Sequence, residues 1–177
     1  MSGHSKWTQI KHQKATADKK RGKLFSILTK RIAIAARSDK NPESNPVLKV
    51  AIEKAREKNL SKDTIERAIK RGAGELPGAG PIEEVVYEAY GQGGVQIVVV
   101  ASTDNKNRTT GNIRHILTKY NGSMSGTGSV LWNFARKDGV FYPKTKQPTD
   151  QKLAELIAEL IAALEEDDDV DEVFTNL

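Results

Sequence analysis

Gly72-Ala73-Gly74-Glu75-Leu76-Pro77-Gly78-Ala79-Gly80-Pro81 is the stretch on which the reading of this chain turns. Four glycines and two prolines in ten residues leave little room for a helix or a ladder strand. Before it, apolar residues recur at helical spacing. After it, they recur at every second position. The charge also changes sign here. Met1 to Gly74 carries 19 Lys and Arg against 7 Asp and Glu, a net +12, and Glu75 to Leu177 carries 9 against 16, a net −7. The modest +5 of the whole chain conceals this division. We therefore expect a basic helical domain over 1–75, a Gly/Pro linker over 76–81 and a second domain over 82–177.

Working back from the linker, three amphipathic helices are predicted. Ser61 caps the nearest, with Asp63 in its first turn and Ile65, Ala68 and Ile69 pointing inward. Gly72 is read as its left-handed C-terminal residue. Asn45-Pro46 opens the middle helix, an N-cap followed by a proline at the first helical position, with Leu48, Ile52 and Ala55 inside. Asp18 to Arg37 forms the first. Leu24, Leu28, Ile32 and Ala35 share its inner face, and Lys19, Lys23, Lys30 and Arg37 lie nearly opposite. Residues 1 to about 18 are polar and basic and are expected to form a mobile arm, with a helical turn near Trp7 to His12.

Working forward, the pattern is that of an α+β domain. Val85, Tyr87 and Ala89 alternate with Glu84, Val86 and Glu88 as a half-buried strand. Val95 to Ala101 is a nearly continuous apolar run, as in a central strand. Asn105 to Tyr120 is helical, capped by Thr103 or Asp104. Val130, Trp132 and Phe134 read as a strand, and Val140 to Tyr142 as its hairpin mate. Thr149 caps a helix with the seam Leu153, Leu156, Ile157, Leu160, Ile161 and Leu164. Val170 to Thr175 closes as a strand. From Val95 the order is β-α-β-β-α-β, the split βαβ or ferredoxin-like plan, with one extra strand in front.

Composition bounds the function. No cysteine is present, so neither a disulfide framework nor a thiolate metal site is expected. No stretch approaches the roughly 18 apolar residues of a membrane span, and no signal-peptide core follows Met1, so a cytoplasmic protein without membrane partners is expected. The first thirty-seven residues hold ten Lys and Arg and one acid, Asp18. A cationic end of that strength points to a polyanion, and nucleic acid is the commonest one, because phosphate neutralisation releases condensed counterions.

The candidate contacts follow from that charge. Lys6, Trp7, Lys11, His12 and Lys14 combine phosphate-neutralising groups with one indole able to stack on a base or ribose; the bland alternative is a solubilising arm whose Trp7 folds back onto the bundle. Lys19, Lys23, Lys30 and Arg37, flanked by Lys20, Arg21 and Arg31, could track a phosphate backbone. An ordinary solvated helix face is the alternative, but such faces carry alternating acids and this one does not. Lys70 and Arg71 end a helix, where cations are favourable for local reasons as well. Lys106 and Arg108, in the first turn of the second-domain helix, could hold a phosphate at its exposed N–H groups.

No catalytic constellation is legible. There is no nucleophile elbow, no phosphate-binding glycine loop and no three-ligand metal set. The Asp167-Asp168-Asp169 run lacks an oxygen-ligand loop around it. We expect no enzyme, no cofactor, no metal and no small-molecule substrate.

Several long stretches resemble one family. Gly3-His4-Ser5-Lys6-Trp7 with Ile10-Lys11-His12 and Lys20-Arg21-Gly22-Lys23 is similar to the opening of the YebC/PmpR family. Lys62 to Gly72, Tyr87 to Gly91, Thr103 to Thr109 and Leu164 to Val170 resemble later segments of it. The resemblance implies a non-enzymatic regulator of gene expression, described for the family as a DNA-binding transcriptional regulator and for some members as a ribosome- or RNA-binding translational activator. It also implies that Lys6, Lys11, Lys14, Lys19, Lys20, Arg21 and Lys23 belong to the family's basic first domain. Usual members carry a further small α/β domain between the hairpin and the last helix, a gap that Pro143 to Pro148 bridges directly here. DNA, structured RNA or the ribosome, and an adaptor role for the acidic domain remain the alternatives.

Overall fold

Asn45 joins the first two helices of this chain. In the computed structural model, which describes the backbone of residues 3–177 and the side chains of 15–177, two compact units form, Met1–Ile82 and Glu83–Leu177. The first holds α1 (Gly3–Ala36), α2 (Pro46–Glu57) and α3 (Lys62–Gly72). The buried Asn45 amide donates to the carbonyls of Ala35 at 2.8 Å and Asp39 at 2.7 Å, and its oxygen accepts from Leu48 N–H at 3.1 Å. One side chain thus satisfies carbonyls at the end of α1 and an orphan donor at the start of α2. Ser61 caps α3 by accepting from Thr64 N–H at 3.3 Å. Leu28, Ile32, Ala35, Leu48, Ile52, Leu60, Ile65 and Ala68 form the core.

Three expectations for this unit change. The backbone from Gly3 onward is the first part of α1, where the sequence reading expects a mobile arm to about residue 18. Ser5 to Arg21 contains neither Gly nor Pro and is rich in Lys, Gln and Ala, all compatible with helix continuation. Leu24, expected inside, is 37% exposed. Gly72 is not a left-handed cap: it lies within α3, and Gly74 takes the positive φ of 73°. A Cβ on Gly72 would sit 2.1 Å from the Ala33 carbonyl oxygen, so its bare backbone permits α3 to approach α1.

The second unit is α+β, as read. Its elements are β1 (Glu83–Tyr90), β2 (Gln96–Thr103), α4 (Lys106–Lys119), β3 (Ser123–Met124), β4 (Phe134–Lys137), β5 (Val140–Pro143), α5 (Gln151–Glu165) and β6 (Val170–Thr175). The main sheet runs β3-β1-β2-β6, antiparallel throughout. Ile97, Val99 and Ala101 of β2 meet Ile113, Leu117, Ile157, Leu160 and Leu164 of the helices. Val98 and Val100, on the opposite face, meet Val130, Phe134 and Phe141. Burial on both faces explains the uninterrupted apolar run of β2.

The pairing corrects the split βαβ expectation. β4 and β5 form their own two-stranded ribbon, and β1 takes the position beside β2. The reason is local. A tight turn at Gly91–Gly94 joins two eight-residue strands, which pair from Glu83↔Thr103 to Tyr90↔Gln96. The four-residue β4 and β5 instead lay Phe134 and Phe141 across the sheet. Leu131–Asn133, expected within a strand, is a 3-10 turn. The caps of α4 and α5 are Asn105 and Asp150, where Thr103 or Asp104 and Thr149 are expected from sequence. Among the described residues no helix is long and apolar enough to cross a membrane.

Candidate nucleic-acid interface

The cationic face of the first unit is built on α1. At about 100° per residue, Lys19, Lys23, Lys30 and Arg37 fall within about 40° of one line, opposite Leu28, Ile32 and Ala35. Lys19, Lys20, Arg21, Arg31 and Arg37 are exposed, and Lys23 and Lys30 are half-buried. The Arg21 guanidinium lies 5.2 Å from the ring centroid of Phe25, which orients it while leaving its charge at the surface. No acid lies between Lys19 and Ser38, so this length of helix carries cations of one sign. Lys6, Trp7, Lys11, His12 and Lys14 lie outside the residues whose side chains are described.

Towards the C-terminal end of α1 the face opens into a cleft of about 340 Å³ between α1, α3 and the segment after α3. Thr29, Lys30, Thr64, Arg67 and Arg71 bring hydroxyls and cations to it, and Ala68, Leu76, Ala79 and Ile82 supply its apolar lining. Arg37, just beyond α1, donates to the carbonyl of the lining residue Ile82 at 3.3 Å. So Lys30 and Arg71, far apart in sequence, line one cavity, whereas Lys70 stays on the exposed side of α3. Arg67 and Thr64 are additions that the sequence reading missed. The i,i+4 spacing of Arg67 and Arg71 was the available signal, and a purely local reading of α3 conceals it.

The start of α4 is different. The Asn105 side chain accepts from Arg108 N–H at 3.1 Å. The Arg108 guanidinium donates to Asp169 at 2.8 Å and to Asp104 at 3.1 Å, and Lys106 pairs with Glu83 at 2.6 Å. Asp169, 9% exposed, also accepts from Thr109 at 2.7 Å and Thr103 at 3.3 Å. Its hydrogen bond, then that of Asp104, holds the Arg108 guanidinium above its ordinary pKa. The two cations expected to cradle a phosphate are thus paired with carboxylates of their own unit in this structure.

Among the described residues no group of three His, Cys, Asp or Glu is placed to hold a metal. Comparison with known proteins assigns the architecture to a family. Residues 5–75 match the TACO1/YebC protein N-terminal domain, and residues 82–157 match the TACO1/YebC second and third domain. The chain belongs to the TACO1/YebC family. A relative from Dictyoglomus turgidum, named "Probable transcriptional regulatory protein", is 50% identical over 99% of this chain and 71% of its own length. One of the same name from Aquifex aeolicus is 48% identical over 90% of this chain and 64% of its own. The crystal structure of a conserved hypothetical protein from Aquifex aeolicus superposes with a TM-score of 0.80 at 33% identity, covering 88% of this chain and 89% of that one. These TACO1/YebC relatives support the α+β architecture. In this member residues 144–150 join β5 to α5 directly.

Proposed function

We propose that this chain is a non-enzymatic regulator of gene expression that binds nucleic acid through its first unit, in the cytoplasm. The carrying observation is that charge and structure divide at the same place. Met1–Ile82 holds 19 Lys and Arg against 8 Asp and Glu, a net +11, and Glu83–Leu177 holds 9 against 15, a net −6. Lys19, Lys20, Arg21, Lys23 and Arg31 contact the phosphate backbone, and Lys30, Arg67 and Arg71 receive a phosphate at the cleft. Lys6, Trp7, Lys11, His12 and Lys14 add further contacts, as does Lys70. The net negative charge of the second unit disfavours a duplex there and so concentrates duplex binding on the first unit. The names of the relatives support transcription as the process.

Duplex RNA, and with it a role in translation, is the second reading. From Lys19 to Arg37 α1 contains no Asn or Gln, the side chains that read adenine edges in a DNA major groove. Recognition by backbone and shape suits an RNA helix equally. Fluorescence anisotropy with labelled DNA and RNA duplexes of one sequence separates the readings. The variant Lys19→Gln/Lys20→Gln/Arg21→Gln/Lys23→Gln should bind either duplex far more weakly, losing about three and a half units of salt slope on B-DNA. Unchanged binding by that variant overturns the assignment of α1.

A further inference from the structure

The ribbon segment of the acidic unit is locally basic. Residues 132–146 hold Arg136, Lys137, Lys144 and Lys146 against the single acid Asp138, a net +3 within a unit of net −6. The same segment presents Trp132 at 62% and Tyr142 at 53% exposure. From these we infer that the outward face of the β4–β5 ribbon is a second binding surface, which takes a short unpaired stretch of single-stranded nucleic acid by stacking on Trp132 and Tyr142. This goes beyond the duplex contacts assigned to the first unit and uses none of their cations.

The ribbon's alternation sorts its side chains. Phe134 and Phe141 are buried against Val98, Val100 and Val130. Arg136 is drawn to the inner side, where it pairs with Glu84 at 2.7 Å and lies 5.1 Å from the Phe141 ring centroid. Ala135, Lys137 and Tyr142 are left exposed on the other face. Tyr142 stands opposite Ala135, whose methyl cannot cover the ring. The Trp132 indole N–H donates to the Ser129 carbonyl at 2.9 Å, so its one polar group is satisfied and its faces remain open. Lys144 Nζ donates to the Trp132 backbone carbonyl at 2.7 Å, which holds a cation at this residue.

The platform is rigidly mounted. Asn133, 2% exposed, donates to Gln96 Oε1 at 2.6 Å and to the Thr145 carbonyl at 2.9 Å, and accepts from Thr145 N–H at 2.9 Å. Its carbonyl accepts from Lys144 N–H at 2.7 Å. A preformed surface does not lose loop entropy on binding.

Chemistry selects the occupant. Exposed aromatics alone would suit an apolar partner, and cations alone would suit any phosphate backbone. Interleaved, they suit unpaired bases, whose π-faces are available and whose phosphates follow at each step. A duplex keeps its base faces stacked and leaves Trp132 and Tyr142 unused. Pairing with the ribbon of a second copy would oppose two like-charged islands.

The test uses the full chain with Trp7→Phe, which makes Trp132 the only indole of the two in the sequence. Oligothymidylate and oligouridylate hexamers are titrated while Trp132 emission is followed. Saturable quenching is expected, and adding Tyr142→Ala should weaken its midpoint about tenfold. The quadruple Gln variant of α1 should leave the midpoint within a few-fold, while losing duplex binding. Preference for one hexamer identifies DNA or RNA as the source; equal binding assigns recognition to the bases alone. Unchanged emission, a midpoint insensitive to Tyr142→Ala, or self-association that buries Trp132 without oligonucleotide each overturns the proposal. The duplex assay reads the first unit separately, so failure of either surface is distinguishable.

Discussion

Replacing Glu88 with Gln should destabilise the second unit by about 2–4 kcal/mol, because this carboxylate is a buried staple. It is 4% exposed, on the β1 face that meets the ribbon. Oε1 accepts from Gly128 N–H at 2.6 Å, and Oε2 accepts from Val130 N–H at 2.6 Å and Leu131 N–H at 2.8 Å. Burial pushes its pKa up, but the three backbone donors outweigh burial and hold it below the ordinary 4.5. Hydrogen bonds to a charged group contribute about 1.5–3 kcal/mol each, and a buried donor left unpaired costs about 1–3 kcal/mol. Gln keeps one acceptor oxygen but loses the charge, and it turns an NH₂ towards at least one N–H. Urea unfolding of the Trp7→Phe chain, followed through Trp132, reads the unit that contains the staple. Because the folded pKa is depressed, the carboxylate's contribution is fully present above the unfolded pKa and is lost as pH falls through the folded one. The stability difference between the parent chain and its Glu88→Gln variant should therefore be full at neutral pH and shrink by about pH 3. A cost under about 1 kcal/mol at neutral pH, or an equal cost at both pH values, refutes the reasoning.

Two further outcomes follow from the packing. Gly72→Ala places a methyl 2.1 Å from the Ala33 carbonyl, which only a shift of α3 can relieve. The first unit should lose about 2–3 kcal/mol, seen as a lower helical melting temperature by circular dichroism, and an unchanged melt would show that α1 and α3 are not so close. Arg108→Ala should lower the melting temperature of the second unit by unpairing Asp169, with no change in duplex affinity or its salt slope. A flatter slope would return Arg108 to the set of phosphate contacts.

What could be read from sequence was local. Asn45 and Ser61 announce themselves as caps because an Asx or Ser side chain bonds within three residues. The continuous run of β2 declares burial on both faces. The misreadings arise where the partner is distant. Glu88 looks like the outer face of a half-buried strand, since its partner Leu131 lies 43 residues away. A local reading of Arg108 likewise does not reveal its carboxylate partner Asp169, 61 residues away. The ribbon escapes the main sheet because β1 is longer and joined to β2 by a tight turn, a competition that periodicity does not register. Leu24 keeps the helical phase of core residues but is left partly exposed, because α1 extends beyond the contact that buries Leu28. At the candidate interface the cationic line of α1 was legible from spacing alone. The cleft was not, because it needs α3 and the segment to Ile82 folded back beside Lys30.

The central claim is that the cationic first unit binds nucleic acid by displacing counterions. The most direct measurement is the affinity of the full chain for a DNA duplex across a range of salt concentration. With about six cations engaged, log affinity should fall against log salt with a slope near −5, and neutralising Lys19, Lys23 and Lys30 together should flatten it by about three units. A slope near zero, or one that those three substitutions leave unchanged, contradicts the account.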